Sequence, residues 1–244
     1  MVNDLTGLDD DTMQTIAAEL GFSETVFIDW MDGGTPHVRI FTPAVEMPFA
    51  GHPLVGSAWV LASLGPGTVS EMTCEVGSIP FRSSGDSAWV DTPMVTDVRI
   101  ADEAPAIAAG AGLPEPVRAW WAMMPLPYLV LDLGTAETVA KATPDISKLS
   151  ALAAGMTYIV GSQGDDLLVR FFAPDAGVSE DPATGSAAAA YAAVRSFEGE
   201  QQGSLTIHQG EEIGHPATIQ LEWDSNTASL GGSVRRDEVR ILER

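Results

Sequence analysis

Nearly the same message occurs twice in this chain. Residues 38–58 run Val-Arg-Ile-Phe-Thr-Pro, an acidic loop, then Phe49-Ala50-Gly51-His52 and an apolar stretch. Residues 169–190 run Val-Arg-Phe-Phe-Ala-Pro, an acidic loop, then Ala183-Thr184-Gly185-Ser186 and an alanine-rich apolar stretch. Phe41-Thr42-Pro43 returns 131 positions on as Phe172-Ala173-Pro174, and Gly51-His52 returns 134 positions on as Gly185-Ser186. Upstream, Glu24-Thr25-Val26-Phe27-Ile28 parallels Met156-Thr157-Tyr158-Ile159-Val160 at an offset of 132. A strand–loop–helix unit repeated within 244 residues implies two similar halves. A cleft between such halves is where the chemistry is expected.

Charge narrows the partners. The chain holds 34 acids against 12 bases, a formal net charge of −22, and its only lysines are Lys141 and Lys148. That balance argues against nucleic acid, whose binding needs a basic footprint. The acids are scattered, as on proteins of salt-rich cytoplasm, where a Debye length of about 3 Å in molar salt relieves self-repulsion. A halophilic origin is therefore expected; a melting temperature flat or falling from dilute buffer to molar KCl would exclude it. The apolar stretches near 52–64 and 185–194 fall short of the ~20 residues a membrane span needs. No secretory signal pattern opens the chain, and the lone Cys74 fits a reducing cytoplasm and reads as a plain strand residue.

Local patterns predict the elements. Asp9-Asp10-Asp11 leads a helix to Leu20, stopped by Gly21. Strands are expected at 25–30 and 37–41, then a helix over 52–64 that is buried all round, with Pro53 in its first turn. Strand signals follow at 69–76, 78–82 and 87–91, and a short helix within 98–112. The second half reads as a strand at 128–133, a helix near 145–154, strands at 157–161 and 166–172, and a buried helix over 186–197. Strands at 204–208, 216–223 and 227–231 close it, and Val239–Leu242 reads as a last strand returning to the first half. The expected division is 1–97, with the strand near 236–244 returning to it, and 98–235.

Both expected buried helices start at a glycine. A helix start presents unpaired N–H groups and positive dipole, and glycine lets a small anion come close. Two such starts, at Gly51-His52 and Gly185-Ser186, facing across a cleft would bind a small carboxylic acid and stabilise charge developing on it. Glu24 is matched by Met156, so the repeat supplies one carboxylate rather than two. One base serves a proton shift on one face, whereas racemisation calls for two. Each residue also has a plainer role: Glu24 as a solvated acid, His52 and Ser186 as helix caps. In Glu180-Asp181-Pro182 spacing alone does not choose the functional acid. His208 and His215 match no recognised metal-ligand pattern.

These segments resemble the phenazine-biosynthesis PhzF-like isomerases, which share the fold of diaminopimelate epimerase. The resemblance rests on Ile16 to Thr25, on Arg39-Ile40-Phe41-Thr42-Pro43 with Glu46 to Pro53, and on Glu180 to Ala187; Gln209 to Gly214 is a weaker fourth motif. It implies an α/β (α+β) fold of two pseudo-symmetric halves, each a curved mixed sheet wrapped round a central helix, with the active site between them. By resemblance Glu24 is the catalytic acid/base, and His52, Asp181 and Ser186 are its active-site companions. Gly51, His52, Thr184, Gly185 and Ser186 would hold the substrate. Cysteines occupy the two helix-start positions in diaminopimelate epimerases, so His52 and Ser186 argue against two-thiol racemisation. The family's opening strand and Gly-Asn-Pro turn have no counterpart in Val2-Asn3-Asp4, so the first half is expected to lack a strand and some substrate contacts. His215 stands where arginine is common.

The reading is a cytoplasmic, cofactor-independent isomerase, without metal, that moves a proton within a small carboxylic acid and admits a homodimer. The alternatives are a non-catalytic metabolite-binding or scaffold protein and an amino-acid racemase or epimerase. Binding without turnover, unaffected by Glu24→Gln, would mark the former; solvent deuterium at Cα of both enantiomers would mark the latter.

Overall fold

The computed structural model describes residues 1–2, 8–30, 34–64, 69–124 and 126–237; the expected strand Val239–Leu242 lies outside them. The chain forms two compact units. One takes residues 1–49, 53–90 and those after Leu230; the other takes Ala50–His52 and Asp91–Leu230.

In the first unit, α1 (Asp10–Leu20) begins where Asp9 accepts the Thr12 N–H at 2.9 Å and ends where Gly21 turns left-handed. Met13 and Ala17, one turn apart, bury against Phe27 and Phe41, whose rings meet edge to face at 5.3 Å. β1 (Thr25–Asp29) and β2 (His37–Phe41) pair antiparallel with Thr25 opposite Phe41. β3 (Glu46–Met47) folds back on β2, and α2 (Gly51–Leu64) follows. β4 (Glu71–Cys74) runs parallel to β2, then β5 (Gly77–Ser84) and β6 (Ser87–Pro93) continue antiparallel. Beside β1, Val2 pairs in parallel with Phe27, through Val2 N–H to Val26 O at 2.8 Å and Ile28 N–H to Val2 O at 2.9 Å. Among the described residues this one bridge is what lies beside β1 ahead of α1.

The second unit begins with β7 (Val98–Ile100), α3 (Ala104–Ala111), β8 (Arg118–Met123) and β9 (Pro127–Thr135). Two short helices follow, α4 (Ala136–Lys141) and α5 (Ile146–Ala151), then β10 (Thr157–Gln163), β11 (Asp166–Ala173) and β12 (Val178–Asp181). It closes with α6 (Gly185–Phe197), β13 (Gly203–Gln209), β14 (Ala217–Trp223) and β15 (Thr227–Ser233), which crosses to the first unit at Gly231. The strands lie in the order β15-β14-β13-β11-β10-β9-β8-β7. The sheet is mixed, parallel at β11/β13 and β9/β10 and antiparallel at β13/β14, β10/β11 and β8/β9. α6 touches β14 near one end of that order and β7, β8 and β9 at the other. A sheet can reach one helix from both ends only by curving round it. Alanines at 187–190, 192 and 193, all buried, let the strands come close.

The repeat extends beyond its sequence signature. The succession β1-β2-β3-α2-β4-β5 recurs as β10-β11-β12-α6-β13-β14: a hairpin, a short return strand, a helix, a parallel strand, an antiparallel strand. The hairpin register recurs too, with Thr157 opposite Phe172 as Thr25 is opposite Phe41. The two helices differ from the expectation of equal burial. α6 is buried on every side from Ala187 to Val194. α2 instead buries a stripe at Leu54, Ser57, Ala58 and Leu61 and exposes Ala62 and Ser63. No helix among the described residues is long and apolar enough to cross a membrane.

Candidate active site

Two helix starts meet backbone to backbone in the second unit. A Cβ added at Gly51 would lie 2.8 Å from the Gly185 Cα, and one added at Gly185 would lie 2.9 Å from the Gly51 Cα. Real side chains do not approach that closely, so only glycine fits at either position. The consequence is chemical. Each helix leaves its first N–H groups without intrahelical acceptors, and here both sets open at one place. Such a cluster of donors, with two positive dipole ends, suits a carboxylate.

Asp181, Thr184, Gly185 and Ser186 gather round that point. Asp181 ends β12, and a turn through Pro182 and Ala183 delivers Thr184 to the N-cap of α6. Thr184 does not cap the helix with its side chain; its hydroxyl donates to Asp181 Oδ2 at 2.5 Å. Ser186 is the second helical residue rather than a cap, and its Oγ accepts from the Tyr128 hydroxyl at 2.8 Å. Burial pushes the Tyr128 phenol above its ordinary range, and the charge of Asp181 adds to the push. Tyr128 thus stays a hydrogen-bond donor near neutrality. His52, second residue of α2 and adjacent to Gly51, is exposed.

The strand pleat sends Glu180 and Asp181 to different neighbours. Successive residues on β12 point to opposite faces. Glu180 grips the Arg170 guanidinium with two bonds of 2.7 Å, leaving Asp181 to face Thr184.

Glu24 belongs to the first unit. It follows the Gly21 stop of α1 and directly precedes β1, with its Oε2 buried. Its neighbour Thr25 is 3% exposed, and the Thr25 hydroxyl has no hydrogen-bond partner among the described residues. His208, weighed as a metal ligand, pairs with Asp166 at 3.1 Å.

Two further residues lie near the site: Gln209, which sequence reasoning notes only as the start of a weak motif and gives no role, and Tyr128, which it does not single out. Gln209 lies fully buried at the end of β13, bonded to the backbone and side chain of Thr184 and to the Asp181 carbonyl. Tyr128 reads in sequence as an ordinary strand residue. The signal for Gln209 was the Gln209-Gly210 pair. Gly210 has φ 83°, and an added Cβ would lie 2.3 Å from the His215 carbonyl oxygen and 2.9 Å from that of Pro182.

The mixed α/β fold is that of PhzF-family and epimerase-fold proteins. A predicted epimerase of Pseudomonas aeruginosa superimposes with a TM-score of 0.74 at 26% identity, covering 99% of this chain and 92% of that one. A family model for phenazine biosynthesis-like proteins matches residues 1–237. An uncharacterised isomerase of Mesorhizobium japonicum is 34% identical over 253 residues, covering 91% of this chain and 83% of that one. The trans-2,3-dihydro-3-hydroxyanthranilate isomerase of Pseudomonas fluorescens is 31% identical over 222 residues, covering 85% and 77%. Among solved structures, a PhzF-family protein of Enterococcus faecalis superimposes with a TM-score of 0.77 at 26% identity, covering 95% and 86%. The chain belongs to the phenazine-biosynthesis-like (PhzC/PhzF) family, and its enzyme class is isomerase.

Proposed function

We propose that this isomerase moves a proton within a small unsaturated carboxylic acid of the dihydro-hydroxyanthranilate kind, with Glu24 as the only proton carrier. The observation that carries the reading is the inequality of the repeat: Glu24 has Met156 as its counterpart. A single carboxylate removes a proton from one carbon and returns it to another on the same face, so no second base is needed. The N–H groups at the Gly51 and Gly185 helix starts hold the substrate carboxylate and stabilise charge spreading from the carbon that loses its proton. Asp181, Ser186 and His52 orient the remaining polar groups. The substrate kind comes from the Pseudomonas fluorescens relative.

The test is proton NMR in D₂O with trans-2,3-dihydro-3-hydroxyanthranilate, comparing the wild type with Glu24→Gln. Loss of a substrate C–H signal with a new isomer in the wild type is expected, slowed about 10²–10⁴-fold in the variant. Equal turnover by both proteins would refute Glu24 as the proton carrier.

A further inference from the structure

We infer that Gln209 is a positioning residue that sets the direction of the Thr184 proton and thereby holds Asp181 as a hydrogen-bond acceptor in the site. Gln209 is fully buried, so all of its polar atoms must be satisfied within the protein. Its Oε1 takes the Thr184 backbone N–H at 3.2 Å, and its Nε2 gives to the Asp181 backbone carbonyl at 2.7 Å. A backbone N–H can only donate and a carbonyl can only accept, so these two bonds fix which end of the amide is oxygen. The second Nε2 hydrogen then points at Thr184 Oγ1, 2.9 Å away.

That bond decides the next one. Because Thr184 Oγ1 receives a proton from Gln209, its own proton is directed to the other neighbour in reach, Asp181 Oδ2 at 2.5 Å. The relay runs one way: Gln209 to Thr184 to Asp181. A hydrogen bond donated to a carboxylate favours its charged, accepting form. Gly210 permits the arrangement: with a left-handed backbone and no Cβ to strike the Pro182 and His215 carbonyls, this strand end can lie against the Asp181–Thr184 turn. Charged or titratable groups near this turn among the described residues include the Tyr128 phenol, His52 next to Gly51, the Arg170–Glu180 pair, and Glu212, whose charge Arg170 feels. None of them contacts Gln209 in the bonds that define the relay. The importance of Asp181 to substrate rests on the function proposed above; the relay itself does not.

The test reads Asp181 directly. Carbon-13 NMR of labelled aspartate carboxyls, with Asp181 assigned through Asp181→Asn, gives its titration in the wild type, in Gln209→Glu and in Thr184→Val. Gln209→Glu keeps the side-chain shape but reverses its polarity, so the Thr184 hydroxyl turns to the new carboxylate. Thr184→Val keeps the backbone link and deletes the hydroxyl. Both variants are expected to raise the Asp181 titration by about half a unit or more, with circular dichroism unchanged. An unmoved Asp181 in either folded variant would overturn the inference. Turnover of trans-2,3-dihydro-3-hydroxyanthranilate is followed alongside, and the acid limb of its kcat/KM profile should move with Asp181. A wild type silent on that acid would refute the proposed substrate and leave the titration to judge the relay.

Discussion

The two copies of the repeat carry the same charged fork in different surroundings. Arg39 on β2 grips Glu46 with two bonds of 2.7 Å, and Arg170 on β11 grips Glu180 with two bonds of 2.7 Å. Each guanidinium also lies 5.1 Å from the ring centroid of the phenylalanine two residues on, Phe41 or Phe172. In the first copy the remaining N–H group reaches the exposed Asp10 carboxylate at 2.7 Å. In the second it reaches the Ala142 carbonyl at 2.6 Å, at the end of α4. Side-chain exposure follows: 24% and 33% for Arg39 and Glu46, 10% and 11% for Arg170 and Glu180. One sequence element thus serves as a half-wet clasp in one unit and as a buried strut in the other. The difference lies in what covers each fork: the end of α4 sets the Ala142 carbonyl on Arg170, where α1 offers Arg39 the exposed Asp10.

That comparison can be broken most sharply at the forks. Arg170→Met leaves Glu180 buried beside carbonyls and should cost about 3–5 kcal/mol of stability, whereas Arg39→Met should cost about 1 kcal/mol. Urea unfolding of the two variants checks this, and similar midpoints would mean that burial does not separate the copies. The helix starts come next. Gly51→Ala and Gly185→Ala each drive a methyl into backbone and should destabilise by about 1–3 kcal/mol. Gly56→Ala, inside α2, meets only the flexible Met1 Cε at 3.3 Å and should gain up to about 1 kcal/mol from helix propensity. Thermal melts showing one sign for all three would defeat the close-approach argument.

Smaller effects separate the strand starts. The Thr157 hydroxyl donates to the Ala154 carbonyl at 2.6 Å, while its counterpart on Thr25 has no partner among the described residues. Thr157→Val should cost about 1 kcal/mol and Thr25→Val should be neutral in stability. A loss of turnover in Thr25→Val at unchanged melting temperature would assign that hydroxyl to substrate. The last contrast is with pH. All three tyrosines lie in the second unit, and burial raises each phenol above its ordinary value of 10, Tyr158 most. The unfolded chain therefore releases these protons first. Their contribution is fully present below about pH 10 and is lost as the pH rises through the folded values. Tyr158→Phe removes a hydroxyl that finds no partner among the described residues. It should leave neutral stability equal or higher and shift alkaline unfolding to higher pH, read by circular dichroism.

Much of the fold was legible because its signals are local. The Asp9 cap, the Gly21 stop and the first hairpin are written in adjacent residues. β8 was not legible: Arg-Ala-Trp-Trp-Ala-Met shows no strict alternation, and its buried face is set by pairing with β9 and by α6 behind it. The equal burial expected of the two central helices failed at α2 for a similar reason. Apolar composition permits burial on every side, and only the packed neighbours decide whether it happens. In the site, repetition pointed to the two glycine helix starts, while spacing alone left Glu180 and Asp181 undecided and offered Ser186 a plain capping role. The parts played by Gln209 and Tyr128 stayed hidden because an amide and a phenol become positioning groups only through the partners that fold against them.

By itself the sequence determined the duplication, the single unmatched Glu24, the acidic surface and the two glycine helix starts, since each is a matter of residue type at fixed spacing. Tertiary structure alone decided that Gly51 meets Gly185 and that Glu180 clasps an arginine while Asp181 faces Thr184. It alone decided that a buried amide aims the proton between them. Those outcomes depend on which donors and acceptors are forced together out of water, and the cost of leaving any of them unpaired selects the arrangement.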